Sequence, residues 1–573
     1  MTGLCAALVA AVGLAAAADD VVVDALQAEL DRTAAELALP DAPRPHTVLY
    51  DYTELEVVRA RGQLGTLVSS GARPSRRLGV GLRVGTPQLD SANFRTGWRD
   101  RDGFDSKSLV VAPDADAIRH DAWLLADHLY REAVENLAVK EAARARRATP
   151  KETPDYVPAA GAVHRGGRAE AVDLARVEQV AREVSAVFRG HPGLIWSEVR
   201  VVAETGRRVA LDSRGTLVER PTSEVVVVVM ARVQADDGMS MVDHLSYVVR
   251  TPADLPAIQT LQADAKALAE RLEAWAELPV VSESYVGPVL FEGDAAVDVF
   301  RRLLLPALQG TAPEERPSEG SRTFNFGSDG GGSALRPMRR VLPPGFTVVD
   351  DPLADPTLPS SFEFDDEGVP AEAVVLVTDG IVRRHLASTT TGEHTRESNG
   401  HARGMTPSLK RAMPGQTTVT SDRVLSDRKL QRSAMDVAGD YDLDHVVVVR
   451  RLSDPRLSGA GLAPSLNLGS SGDGGLPPPV EVVRRYADGR EEPVRGWSFV
   501  GLDRRALRDI TSAGSSTTRT ILMAPEPGRG GPSYGVPVTV TAPSVLVAEV
   551  ELQPGGGNAD RPPPVPSPLA ELK

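Results

Sequence analysis

At 573 residues the chain exceeds what one ordinary hydrophobic core organises, so two or three domains are expected. Its 42% hydrophobic and 25% charged residues are those of a globular protein, and scattered basic residues with a formal net charge of −14 argue against a nucleic-acid or anionic-membrane surface. A single cysteine, Cys5, leaves no internal disulfide framework.

Leu4 to Ala18 is an apolar run with an Ala-rich end before Asp19 and Asp20. It fits a secretory signal (residues 1–18) cleaved after Ala18 and is short for a membrane span, so no membrane span is expected. Export to the periplasm or cell envelope follows, although the first basic residue is Arg32 and the usual positive start is missing. The alternative is a cytoplasmic chain whose N-terminal helix is buried.

Val23, Leu26, Leu30, Ala34 and Leu37 mark an amphipathic helix, stopped by Pro40 and Pro43. Strands are expected from Thr47, from Glu54 and from Arg76. In the last, Leu78, Val80, Leu82 and Val84 alternate with Arg77, two glycines and Arg83, the pattern of a half-buried strand. A long helix begins at Asp114 and runs into a charged, Pro-containing linker that closes an N-terminal α+β domain at 19–160. A middle region, 161–282, holds a helix near Ala169 to Phe188, antiparallel strands from Glu198, Arg207 and Glu224, turns at Asp212–Thr216 and at Gly238, and a helix from Leu261 to Trp275.

The β-rich region 283–553 opens with the strand Val289–Phe291. A helix follows in which Ala296, Phe300, Leu304 and Leu308 recur at fours, with Asp294 as its expected cap and Pro306 as its expected stop. Gly327–Pro337 is a glycine-rich loop without the Lys-Ser/Thr pair of a phosphate-binding loop. Val374–Thr378 and Ile381–Leu386 flank Asp379-Gly380, a two-residue hairpin turn. Strands are expected from Asp444 and from Tyr534, a second hairpin at Asp488-Gly489, and a disordered tail at 554–573.

Several of these stretches in order resemble the TldD/PmbA family: a "DxEG" turn at Asp365–Gly368, the Asp379-Gly380 hairpin, SNGHARG from Ser398, and the strand–turn–helix from Gly287 to Gly310. The resemblance implies an α+β fold, with a mixed N-terminal region of long helices and antiparallel strands and a C-terminal antiparallel, barrel-like β domain. Catalytic members carry HExxxH on the helix. Laid on Leu308 and Gly310, its two His and its Glu fall at Arg301, Pro306 and Arg302, none of which offers a lone pair to a metal. The Cys-Gly-Lys segment of catalytic members is replaced by GRGGPSYG, without cysteine. The family's metal site is therefore expected to be degenerate, and no catalytic residue or cofactor is expected.

Glu393, His394, Glu397 and His401 form the best local set of alternative metal ligands, though their spacing matches no standard site and suits a solvated or cleft-lining loop. Asp350, Asp351, Asp365, Asp366 and Glu367 read as turn formers. The resemblance implies the metal-less PmbA (TldE) type, a homo- or hetero-dimer with a TldD/PmbA-type subunit acting on unfolded peptides. Two readings stand beside it: a metallopeptidase with non-standard ligands, and a cell-envelope binding or scaffold protein.

Overall fold

The computed structural model of the chain describes residues 20–96, 103–146, 151–317, 335–404, 409–454, 475–524, 535–555 and 565–572. The apolar run Leu4–Ala18, most of the glycine-rich loop and GRGGPSYG up to Tyr534 lie outside the described residues.

The first sheet is built on two long strands, β1 (Pro45–Gln63) and β2 (Thr66–Thr86), paired antiparallel around the turn at Leu64-Gly65. β3 (Phe104–Ser108) pairs with β2, while β4 (Leu194–Asp212), β5 (Leu217–Gln234) and β6 (Ser240–Val249) continue from β1, all antiparallel. The strands expected from Thr47 and Glu54 are one strand, and so are those from Glu198 and Arg207. The second pair runs unbroken through Gly206, where φ is +147° and a Cβ would lie 2.0 Å from the Glu54 carbonyl oxygen.

One face of this sheet is covered by helices. α1 (Val21–Glu36), capped by Asp20, and α2 (Ala115–Ala145), capped by Asp114, pack on Tyr50, Tyr52, Leu78, Val80 and Leu82. α3 (Leu174–Ser185) and α4 (Ile258–Ala276) cover the other end through Val177, Val180, Leu261 and Leu268 against Val201, Val227 and Val229. The opposite face turns to the C-terminal half. Val226, Val228 and Met230 pack there on Met523, which explains why Val225–Val229 reads as unbroken valine: both sides are buried.

The second sheet has twelve strands. At its centre is β7 (Tyr285–Phe291), followed by α5 (Gly293–Leu303) and a short 3₁₀ turn, Leu305–Leu308, with Pro306 in its first turn as expected. β8 (Phe346–Asp350), β9 (Val374–Thr378), β10 (Gln416–Ser421), β11 (His445–Leu452), β12 (Pro479–Tyr486), β13 (Glu491–Val494), β14 (Ile510–Ala524) and β15 (Val536–Pro554) make up most of the rest. The order is β9-β8-β10-β15-β7-β11-β12-β13, with β14 on β15.

The path ends at Ile381–Val382 beside β9 and at β13 without closing, and two of its pairings, β10–β15 and β7–β11, are parallel. The sheet is thus open and mixed rather than barrel-like. The helices α5 and α6 (Asp427–Asp440) sit on opposite faces of β7: Val289 and Phe291 join the α5 core, Leu290 the α6 core. The molecule is α+β, with helices beside antiparallel-rich sheets.

Candidate functional site

The helix expected to bear the site begins differently from the sequence reading. Its N-cap residue is Glu292, without a side-chain cap bond. The Glu292 carboxylate is drawn away by Arg485, at 2.7 and 3.0 Å, and by Arg450 at 3.3 Å. Asp294 is already inside the first turn, where it accepts from the Thr520 hydroxyl at 3.0 Å and pairs with Arg451 at 3.3 Å. One turn on, Asp298 takes both arginines of interest: Arg301 Nε donates to it at 2.7 Å and Arg302 Nε lies 3.6 Å away. Burial alone would raise the Asp298 carboxyl, and the two guanidinium charges override it and hold it below the usual range. Arg301 and Arg302 therefore already hold a carboxylate, and it is an internal one. With Pro306 in the next turn, these three positions provide no lone pair and do not fit a zinc ion.

The alternative ligands are scattered. His401 is fully buried, its Nε2 3.1 Å from Asp350 and its Nδ1 2.9 Å from the Asn399 carbonyl. Asp350 is also claimed by the Gly415 amide at 2.9 Å and the Thr417 hydroxyl at 2.5 Å. Glu393 and Glu397 are exposed. His394 lies beside His385, ring centroids 5.7 Å apart, and its Nε2 is buried without a hydrogen-bond partner. Among the described residues, no group of three or more His, Cys, Asp or Glu side chains is arranged to hold a metal ion.

What the fold does bring together is a layer of buried charge where the first sheet meets the C-terminal half. The turn Asp365–Gly368 is built as expected: Asp365 accepts the amides of Glu367, Val369 and Ala402, each at 2.9 Å, and Gly368 takes a φ of +78°. Its neighbours face across the boundary. Asp366 meets Arg208 at 2.9 Å, Arg220, and the Gly404 amide at 2.8 Å. Lys410, wholly buried, meets Asp51 of β1 at 2.6 Å. Burial would raise the Asp366 carboxyl, and the charges of Arg208, Arg220 and Lys410 push it far down instead. Burial and mutual repulsion push the Asp365–Glu367 pair up.

Beside this layer a small cavity opens between β1, β2 and the turn, lined by Thr47, Arg83, Tyr156, Arg214, Glu367 and Thr389 among others. Arg83 is 5% exposed, paired with Asp90 at 2.8 Å, and stands 4.5 Å from the Tyr156 ring. The alternation of β2 assigned Arg83 to a solvent face; that face is covered instead, and Gly81 gives its side-chain space to Phe104, whose ring a Cβ would meet at 2.3 Å. Arg214 belongs to the turn after β4, where Asp212 accepts the Arg214 and Thr216 amides at 2.8 and 3.1 Å. Of the residues sequence reading missed, Arg83, Arg208, Arg220 and Lys410, only Arg83 carried a signal, a cation inside a strand otherwise free to be apolar.

No helix among the described residues is long and apolar enough to cross a membrane. Residues 283–431 match the family model "PmbA/TldA metallopeptidase C-terminal domain". A search of curated proteins gives no match. Among solved structures, TldE from Thermococcus kodakarensis is 14% identical and matches with a TM-score of 0.52, over 88% of this chain and 96% of that one. Two candidate DNA gyrase modulators are similar as well. The one from Thermotoga maritima has 16% identity, a TM-score of 0.53, and coverage of 88% of this chain and 96% of its own. The one from Bacteroides thetaiotaomicron has 12% identity, a TM-score of 0.52, and coverage of 93% and 98%. At these identities the structural likeness speaks for the fold, while the matched C-terminal domain and its turn and hairpin motifs speak for the lineage. Residues 283–431 carry the C-terminal domain of the TldD/PmbA family, and the chain as a whole shares the fold of these solved structures.

Proposed function

We propose that the protein is a non-catalytic member of the TldD/PmbA family that supports a peptide-degrading metallopeptidase subunit. The observation that carries this reading is the state of α5: the positions on which the family's HExxxH falls hold Arg301, Arg302 and Pro306, and Asp298 occupies both guanidinium groups. An arginine keeps its proton, and two of them would repel a divalent cation from this turn. One of the solved structures sharing the fold is a TldE, the subunit type the sequence resembles. Pairing with a TldD/PmbA-type subunit and export after Ala18 belong to the same proposal, the latter resting on the apolar run Leu4–Ala18 alone.

A second reading, a metallopeptidase with ligands of its own, has one observation in its favour: the buried Nε2 of His394, which makes no hydrogen bond and has Glu393 4.0 Å away, next to the His385 ring. Metal analysis of the purified full chain after incubation with zinc separates the two. The first reading expects far less than one zinc per chain and no cleavage of a denatured peptide substrate. Stoichiometric zinc that His394→Ala removes, with cleavage that a chelator stops, would establish the second.

A further inference from the structure

The cavity between the first sheet and the Asp365–Gly368 turn is furnished for a ligand in a way the α5 helix is not. Tyr156 is 3% exposed, and two guanidinium groups stand over its ring, Arg83 at 4.5 Å and Arg214 at 5.4 Å. Its buried hydroxyl interacts with the Thr47 side chain but makes no well-aligned hydrogen bond; the Nε of Arg214, which also lines the cavity, has no hydrogen-bond partner. A guanidinium N–H can only donate, and a phenol that burial has pushed up to about 12 stays protonated and donates too. Buried donors are nearly always satisfied, so two of them at one cavity point to an acceptor that comes from outside the chain.

The surroundings narrow what that acceptor is. Two permanent cations line the space, and their internal partners are already shared: Asp90 lies between Arg83 and Lys140, at 2.8 and 3.9 Å, while Arg214 spends its other nitrogens on Asp212 and on the Ala159 carbonyl at 3.0 Å. The facing carboxyl group, Glu367, accepts the Thr389 amide at 2.8 Å. Burial raises the Glu367 carboxyl above its usual range, against the opposing pull of Thr389 and of the Arg83 and Arg214 charges. Two oxygens with four lone pairs and one negative charge match this set better than a single water does.

We propose that this cavity is a carboxylate-binding site, with the Tyr156 hydroxyl and the Arg214 Nε–H as donors and the Arg83 and Arg214 guanidinium groups as its counter-charge. The carboxylate belongs either to a small free acid or to the C-terminus of a peptide lying between the two halves. The proposal is independent of whether the chain binds zinc or is catalytic.

Calorimetric titration of the full chain with acetate, trialanine and trialanine amide tests it. Trialanine is expected to bind at least about ten-fold more tightly than its amide, which lacks the charge. Acetate matching trialanine identifies a free acid as the ligand, and trialanine well ahead of acetate identifies a peptide terminus; both support the site. Tyr156→Phe keeps the ring under the guanidinium groups and removes one donor. It should weaken trialanine binding about ten-fold while leaving the thermal midpoint close to the parent value, because the hydroxyl it removes makes no well-aligned internal hydrogen bond. Equal binding of acid and amide, no binding of either at millimolar concentration, or unchanged binding by Tyr156→Phe would overturn the proposal and leave the cavity as a water site. A lowered midpoint would overturn it too, by showing that the hydroxyl is used internally.

Discussion

Asp366 is a carboxylate with three cations around it and 5% of its surface in water. Removing its charge takes the close carboxylate from Arg208 and Arg220, while Lys410 keeps Asp51 at 2.6 Å. Asp366→Asn should cost about 3 kcal/mol, the lower end for a broken buried pair because Arg208 and Arg220 keep some contact with solvent. A fall of several degrees in the thermal midpoint is the expected readout, and an unchanged midpoint would mean the cluster contributes nothing. Glu224 behaves oppositely. It lies directly across from Glu204 on the neighbouring strand, and burial first, then that neighbour, push its carboxyl up to about 8. Because the folded state holds this proton more tightly than the unfolded chain, Glu224 costs nothing below about pH 4.5, and the penalty grows until pH passes about 8. Glu224→Gln should therefore raise the midpoint at pH 9 and leave it unchanged at pH 4. The sequence showed Asp366 only as a turn former, since its partners Arg208 and Arg220 lie more than a hundred positions away and meet it only when the two halves pack.

Short-range chemistry decides the elements, and this is where sequence reading succeeds. Asp379 and Gly380 both take positive φ, +51° and +72°, as a two-residue hairpin with a mirror-image turn requires. A Cβ at Gly380 would also lie 2.1 Å from the Leu342 carbonyl oxygen. Gly380→Ala should thus destabilise by more than the ~1 kcal/mol of a strained turn alone, seen as a lower denaturation midpoint; a neutral result would show that the Leu342 segment yields freely. The helices α1, α2 and α4 were legible from the sequence. The cap of α5 was not, because Asp294 is chemically an ideal cap and only the Arg451 and Thr520 side chains from distant strands divert it. α6 and β14 escaped notice for a related reason: α6 buries only Leu430, Ala434 and Ala438, too thin a stripe to stand out, and β14 is rich in Ser and Thr.

At the scale of the whole chain, the order of family motifs announced the α+β fold, whereas the openness of the second sheet depends on how distant strands pair and left no local trace. The first sheet and the C-terminal half share Asp366 with Arg208 and Arg220, Lys410 with Asp51, and Met523 with the valines of β5. Such buried ties make separate melting unfavourable. A calorimetric scan of the full chain should show one endotherm; two well-resolved endotherms would show that the halves unfold independently. The segment after α2 bears on this as well. Expected to be a linker, its described part is fastened on both sides: the Asp155 amide donates to the Pro87 carbonyl at 3.0 Å, the Val157 amide to that of Thr389 at 2.9 Å, and Tyr156 bridges to Thr390. Asp155 itself anchors Lys140 at 2.9 Å and Lys151 at 2.6 Å. Fastened in this way, residues 155–157 have no slack to act as a swivel. Parting the halves here would first have to break this row of backbone bonds, so the strap holds them like a rivet.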